Sequence, residues 1–357
     1  MNRPHIESLT VERYGCVQKC TVALTPLHAL VGPNDSGKST LLTALATMGA
    51  WATRMDEPER IAARDALTTR FERGGDGARL AVKAGGFEWD VGVVGKQATE
   101  RLPGGGGGSR VGRGTPIVSR VFGENIGHAD RDTLRTALQG LTVLRLDPDA
   151  LRRPAALIPE GQPVRLRDDR GTGLPGVLDA LQARNADTIA ELNARMRALF
   201  PTFKSLRLRN TSTHEKALGI TLQDGVEVGA DEMSEGMLYF LALATLEYID
   251  ATPLVLIEEP ENGLHPARIA EVMRLFRRLS ERTQMVLATH SPLVVNELEG
   301  HEISVVTRPP DRGTQVVRLS DTPGYAMRAQ AYANGELWLN YCNGVDEAAL
   351  LNGGPAP

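Results

Sequence analysis

The hydrophobic positions of this 357-residue chain change period several times, and each change marks an element. From Ile6 to Leu24 apolar and polar residues alternate, with Gly15 as the break. That is the period-two pattern of an antiparallel hairpin. A short unbroken apolar run, Leu27 to Val31, follows and reads as a buried strand. Leu41, Leu42, Leu45 and Met48 then recur at helical spacing. Trp51 to Thr69 has helix-friendly composition. Arg70 to Gly95 alternates again through Leu80, Val82, Phe87, Trp89, Val91 and Val93, as one or two hairpins would. Pro103 and the run Gly104 to Gly108 predict a mobile loop from Leu102 to Gly114.

The second half is patterned differently. Leu141 to Leu146 is a short apolar strand, and Asp147 to Thr172, with Pro148, Pro154, Pro159 and Pro163, is irregular. Two short helices are predicted, from about Leu178 to Arg184 and from about Thr188 to Leu199. Phe203 to Arg209 alternates as a strand with Arg207 and Arg209 on one face, and Gly219 to Val228 reads as a hairpin turning at Asp224-Gly225. An apolar helix runs from about Leu238 to Tyr248, and two further apolar strands, from Leu254 and from Met285, end in polar residues. No internal repeat and no sustained heptad appears, so a long coiled-coil arm is not expected.

Composition narrows the class. The formal net charge is -4, which supplies no global basic field for nucleic acid. Between Arg145 and Asn210, however, twelve Lys and Arg face eight Asp and Glu. The three cysteines, Cys16, Cys20 and Cys342, lack metal-ligand spacing. Cys16 and Cys20 are expected on one face of a strand as small buried residues. The N-terminus lacks a signal-peptide apolar core, and the longest mostly apolar stretch, Met237 to Ile249, is too short to span a bilayer and contains Glu247. The expectation is a cytoplasmic protein without membrane partners.

The chemistry centres on Gly32, Pro33, Asn34, Asp35, Ser36, Gly37, Lys38, Ser39 and Thr40, which read G-x-x-x-x-G-K-S/T between a predicted strand and a predicted helix. Its glycines let successive N–H groups converge on a phosphate, and the helix starting at Lys38 aims its positive end at the anion. Lys38 would reach the β- and γ-phosphates of ATP, and the Ser39 hydroxyl would hold Mg²⁺. Three later stretches complete a constellation. Ser234 and Gly236 open the apolar helix and make an anion site of a capping hydroxyl and free N–H groups. Leu254 to Ile257 ends abruptly in Glu258 and Glu259. Adjacent strand residues point opposite ways, so the two acids have separate tasks: Glu258 toward Mg²⁺, Glu259 toward the attacking water. Met285 to Thr289 ends in His290, placed to bond the γ-phosphate or the lytic water. Tyr14 reads as an ordinary strand aromatic rather than an adenine platform.

Together these motifs resemble the ABC-type ATPases of the RecF, SMC and OLD kind. Gly32 to Thr40 matches the Walker A loop, and Met233 to Met237 resembles the signature with Ser234 and Gly236. Ile257 to Pro260 resembles Walker B, Asn262 to His265 falls at the D-loop, and His290 matches the switch histidine. "EEPENGLHP" and "ATHSP" are especially close to OLD-like and RecF-like members. The resemblance implies an α/β P-loop NTPase with an ABC-type head. Such a head has a mixed central sheet, an antiparallel N-terminal β-subdomain and an inserted, mostly helical lobe.

On this reading residues 1–146 carry the phosphate loop and β-subdomain, and 147–202 form the inserted lobe. Residues 203–320 carry the signature, Walker B, D-loop and switch histidine, and 321–357 are a helical segment and tail. Three departures stand out. Glu258 replaces the usual Walker B aspartate, the signature reads MSEGM, and the Q-loop glutamine is not placed among Gln139, Gln162 and Gln182. Only fifty residues follow Thr307 and none form Asp-x-Asp, so the Toprim nuclease activity of OLD proteins is not expected.

The resemblance also implies mechanism. Head-to-tail homodimers would sandwich ATP between Lys38 of one subunit and Ser234 and Gly236 of the other, and hydrolysis through Glu259 would release them. The leading expectation is an ATP-switched clamp or motor acting on DNA in repair or in anti-phage or plasmid defence, with a separate effector such as a nuclease. The alternative is a regulatory ATP-binding module holding a protein partner, for which Leu337, Trp338, Leu339 and Tyr341 offer a docking stretch. A transporter subunit is disfavoured by the signature and the long insertion. A GTPase is disfavoured by the lack of an Asn/Thr-Lys-x-Asp motif.

Overall fold

The computed structural model describes residues 4–52, 78–94, 97–101, 109–110, 133–134, 136–309 and 313–342. Most of the predicted loop Leu102 to Gly114, most of the predicted helix Trp51 to Thr69, and the tail lie outside the described residues; Ser109 and Arg110, within that loop, form a short strand.

The chain begins with β1 (Ile6–Tyr14), β2 (Val17–Ala23), β3 (Leu27–Val31) and α1 (Lys38–Ala52). Next come β4 (Ala78–Ala84), β5 (Phe87–Val94), β6 (Gln97–Arg101), β7 (Ser109–Arg110) and β8 (Thr142–Leu144). There follow α2 (Pro148–Arg152), β9 (Ala155–Ala156), α3 (Leu174–Arg184), α4 (Ala186–Leu199), β10 (Phe203–Asn210), β11 (Glu215–Leu222) and β12 (Glu227–Gly229). The rest is α5 (Glu235–Thr245), β13 (Leu254–Glu258), α6 (Pro266–Ser280), β14 (Gln284–Thr289), α7 (Pro292–Asn296), β15 (Ile303–Thr307), β16 (Gln315–Arg318), α8 (Tyr325–Arg328) and α9 (Asn334–Cys342).

The chain divides into two compact units, one of Met1–Thr142, Thr252–Glu258 and Ser280–Pro357, the other of Val143–Ala251 and Glu259–Leu279. The first unit holds two sheets. An antiparallel sheet runs β2-β1-β4-β5-β6-β7. Its first hairpin turns at Gly15, whose φ of 59° suits a residue without a Cβ. Ile6, Leu9, Val11 and Tyr14 of β1 are buried, and their spacing departs from strict alternation where the ladder shifts register between Ile6 and Ser8 and where Arg13 takes φ 53°. The second sheet runs β16-β15-β3-β14-β13-β8, with β15, β3, β14 and β13 mutually parallel and β16 antiparallel at one edge.

Every residue of β3, β14 and β15 is buried, which is why these strands read as continuous apolar runs. One amide ties the sheets together. Gln284 accepts from the Ile6 N–H at 2.8 Å and donates to its carbonyl at 2.8 Å, so a buried polar side chain is satisfied. His28 of β3 is likewise satisfied, by Ser304 at 2.9 Å and Thr25 at 3.2 Å. Burial, with Arg318 and His301 nearby, pushes its pKa down to about 3.

In the second unit β10, β11 and β12 form an antiparallel sheet with β9 on β11. Val164, Val177 and Leu181 form a core cluster onto which Tyr248 and Ile249 pack. The amphipathic helix α6 buries Ile269, Val272, Met273, Leu275, Phe276 and Leu279. Glu247 is held between Arg195 and Arg278. Helix α3 starts four residues before its predicted position: Gly173, at φ 100°, caps it, and Pro175 sits in its first turn. Proline is tolerated there because that N–H has no intrahelical partner.

Candidate functional site

The phosphate-loop motif folds as strand, loop and helix: β3, residues 32–37, then α1. The loop needs left-handed backbone at two places, Asp35 with φ 64° and Gly37 with φ 110°. A Cβ on Gly32 would lie 2.0 Å from the Val306 carbonyl oxygen of β15, so only glycine passes that strand. Lys38 is buried at the helix start, and its ammonium donates to the Gly32 and Pro33 carbonyls, each at 2.8 Å. The Ser36 hydroxyl is buried without a hydrogen-bond partner. A glycine-shaped cradle, a helix N-terminus, a folded-back ammonium and an orphaned hydroxyl fit a bound phosphate chain.

The register of three neighbouring strands sets the rest of this half. Leu30 of β3 pairs with Ala288 of β14, and Ala288 pairs with Glu258 of β13. Thr289 pairs with Val31, the residue just before the loop. The loop, His290 and Glu258 therefore leave three parallel strands at one level, at their carboxyl ends, where α/β sheets bind ligands. His290 is exposed, and the turn after it is closed by the Ser291 N–H bonding Thr289 Oγ1 at 2.9 Å. Glu258 is half-buried and Ser39 is exposed in the first turn of α1. A carboxylate and a hydroxyl are hard oxygen donors of the kind that a magnesium ion bound with phosphates takes.

The second unit carries the other motifs. Glu259 has φ 48°, unusual for a residue with a long side chain. Its carboxylate accepts from Asn262 Nδ2 at 2.7 Å, and its carbonyl accepts from the Asn262 N–H at 3.0 Å. Ser234 caps α5, its hydroxyl accepting from the Met237 N–H at 3.4 Å. Gly236 is buried against the turn at 262–265: a Cβ there would meet the Gly263 carbonyl oxygen at 2.8 Å and Arg268 Nη1 at 3.6 Å. Arg268 stacks over Phe200 at 4.0 Å and donates to the Leu199 carbonyl at 3.3 Å. Arg152 braces the approach to Ser234 by donating to the Ala230 and Met233 carbonyls, each at 3.3 Å.

Several residues sit differently from their sequence reading, or were not read at all. Cys16 lies in the β1–β2 turn rather than on the strand face with Cys20, and both are only half-buried. Its thiol is 3.3 Å from Thr40 Oγ1, beside the phosphate loop. Tyr14 is fully buried and bonds Thr47 at 3.2 Å, as expected of a strand aromatic. Leu337 and Trp338 of α9 are buried, and the Gly335 N–H bonds Asn296 at 2.7 Å, so these two side chains pack onto the core while Leu339 is exposed. Thr314 and Arg308, which no motif marks, both touch the phosphate loop: Thr314 donates to the Ser36 carbonyl at 3.0 Å and Arg308 lies 3.4 Å from Asp35.

Comparison with known proteins bears on this geometry. Residues 5–62, which contain the loop, match the family model "AAA ATPase domain", and residues 119–296 match "AAA domain, putative AbiEii toxin, Type IV TA system". The protein is an ATPase. Its fold is shared with an SMC head crystallised bound to the C-winged helix domain of ScpA, at 16% identity and TM-score 0.57 over 88% of this chain and 97% of that one. The Pyrococcus furiosus SMC head with an extended coiled coil, bound to the C-terminal domain of ScpA, matches at 15% identity and TM-score 0.53 over 92% and 98%. No curated protein matches the sequence. The ATPase thus has the mixed, parallel-containing sheet of a P-loop NTPase. Among its described residues no helix is long and apolar enough to cross a membrane.

Proposed function

We propose that this ATPase is a Mg²⁺-dependent, ABC-type enzyme that dimerises head to tail on ATP and acts on DNA in repair or defence. The level departure of the phosphate loop, His290 and Glu258 from three adjacent parallel strands carries this reading. Lys38 and residues Gly32 to Thr40 hold the phosphates, while Ser39 and Glu258 hold the metal. Magnesium, when bound, offsets charge on the phosphates. Glu259 orients and deprotonates the attacking water, and His290 bonds the γ-phosphate or that water. The left-handed backbone of Glu259 supports its role, since such strain persists where a side chain must be aimed.

Ser234 and Gly236 of one subunit close on the nucleotide of the other. The signature helix brings an N-terminal dipole to the transferred phosphate, and closure excludes water from it. A Ser capping hydroxyl over a buried glycine supports that assignment.

The DNA reading is supported by a cleft of about 350 Å³ in the second unit, lined by Arg207, Arg209 and Lys216 over Leu206 and Leu208. Arg207 pairs with Glu227 at 2.8 Å and Lys216 with Asp179 at 3.0 Å, pairs that a phosphate backbone would exchange for its own. The defence reading is supported by the toxin–antitoxin wording of the matching family model, and a separately encoded effector would then carry the output. The regulatory alternative keeps less of its docking stretch: Leu337 and Trp338 are buried and Leu339 is exposed.

The test is ATP turnover by the purified protein with and without DNA across a salt series, with Glu259→Gln as control. Stimulation by DNA that fades with salt supports the proposal. Turnover indifferent to DNA moves the reading to a module acting on a protein partner.

A further inference from the structure

We propose that Thr314 is a positioning residue for nucleotide binding, holding the Ser36–Gly37 peptide of the phosphate loop in its phosphate-ready orientation. The inference deepens the ATP-site reading above and rests on it.

Thr314 is fully buried at the start of β16's approach, and its hydroxyl donates to the Ser36 carbonyl at 3.0 Å. A trans peptide is planar, with its carbonyl and its N–H pointing opposite ways. Fixing the Ser36 carbonyl on Thr314 therefore fixes the direction of the Gly37 N–H, away from Thr314. The constraint matters because Gly37 has φ 110° and no side chain, so rotation of this peptide meets little local resistance. A rotated peptide would present a carbonyl where the cradle needs a donor.

The space around Gly37 is closed by the same residue. A Cβ on Gly37 would lie 2.7 Å from Thr314 Oγ1 and 3.1 Å from both Thr314 Cγ2 and Cys16 Sγ. Both branches of the threonine are thus used, the hydroxyl as donor and the methyl as filler. Thr314 is itself anchored. Gly313, with φ 66°, comes within 3.2 Å of the Gln18 side chain if a Cβ is placed on it. Thr314 Oγ1 is 3.7 Å from Cys16 Sγ, which lies 3.3 Å from Thr40 Oγ1 at the far end of the motif. Cys16 and Thr314 together bracket the loop from Ser36 to Thr40.

The experiment measures ATP affinity by calorimetry, steady-state kcat, and the melting temperature of the nucleotide-free full chain. Thr314→Val keeps the shape and removes the donor; Thr314→Ser keeps the donor. The expected result is an ATP Kd raised roughly tenfold by valine, the scale of one hydrogen bond. Serine should restore affinity to within about twofold of wild type, since it keeps that bond. kcat at saturating ATP should stay near wild type in both, and the melting temperature should fall by about a few degrees in valine alone, because the Ser36 carbonyl loses its buried donor. Should valine not fold, Thr314→Ala against Thr314→Ser reads the same difference. A wild-type Kd in the variants lacking the hydroxyl overturns the proposal. So does a parallel loss of kcat and melting temperature that serine fails to rescue. Lys38→Ala separates the two levels. If it loses ATP binding while Thr314→Val keeps it, only the Thr314 role fails; if it binds ATP as wild type does, the site reading fails and this inference with it.

Discussion

Gly236 and Gly263 pack backbone to backbone: a methyl group on Gly236 would stand 2.8 Å from the Gly263 carbonyl oxygen. Helix α5 and the turn at 262–265 are thereby joined where one offers its first-turn N–H groups and the other turns with φ 68°. A Cβ on Gly263 would in turn strike Tyr239 at 2.5 Å, so neither glycine has room for a side chain.

Gly236→Ala should force these segments apart, a strain of about 1–3 kcal/mol. ATP binding to the phosphate loop should be unchanged. kcat should fall about tenfold or more, the kinetic scale of that strain, and the ATP-dependent dimer should weaken. Calorimetry, steady-state kinetics and sedentation of the ATP-bound protein by analytical ultracentrifugation check each part; a wild-type kcat with a wild-type dimer sinks the signature assignment.

Lys38→Ala removes the ammonium held by the Gly32 and Pro33 carbonyls. ATP affinity should fall at least about a hundredfold, as expected when a buried charge-assisted contact to phosphate is lost. Undiminished affinity in calorimetry would show that the loop does not bind nucleotide.

Glu259→Gln keeps the size of the side chain and removes its basicity. The variant should bind ATP normally, turn it over about a hundredfold or more slowly, as loss of a general base implies, and accumulate a dimer visible by light scattering. Wild-type turnover would displace Glu259 from its catalytic role.

His28 makes stability depend on pH in a defined window. Its folded pKa of about 3 lies below the ordinary value of 6.5, so the unfolded chain binds a proton that the folded chain refuses. Its contribution is complete above pH 6.5 and is lost as pH falls from there toward 3. Asp147, Asp168 and Asp250 are held below 3.8 and Glu12 below 4.5, so their losses come at lower pH. Between pH 6.5 and about 4.5 the slope of unfolding free energy against pH should approach 1.4 kcal/mol per pH unit from this one group. Urea titrations should show that slope in wild type and a flatter one in His28→Gln; equal slopes would refute it.

The strand before the phosphate loop, the helix after it and the two strands ending at Glu258 and Thr289 were legible because each signal is local. An apolar run means a strand buried on both faces, and four leucine-class residues at helical spacing mean a helix. The start of α3 is less legible, since Gly173 caps it without a side chain and Pro175 occupies its first turn. Cys16 was misread because alternation does not reveal which two residues of a hairpin make its turn.

The residues by themselves determined the order of the motifs, the α/β class and the chemistry each motif can perform, since these follow from side-chain type and near-neighbour backbone preference. Only the tertiary structure decided that β14 lies between β3 and β13, and that their register brings His290 and Glu258 level with the loop. It also decided that Thr314 meets Ser36 across 278 positions of sequence. Strand order and such distant contacts depend on how whole elements bury their apolar faces against one another. No short stretch of sequence carries that information, because the free energy that selects it belongs to the assembled core.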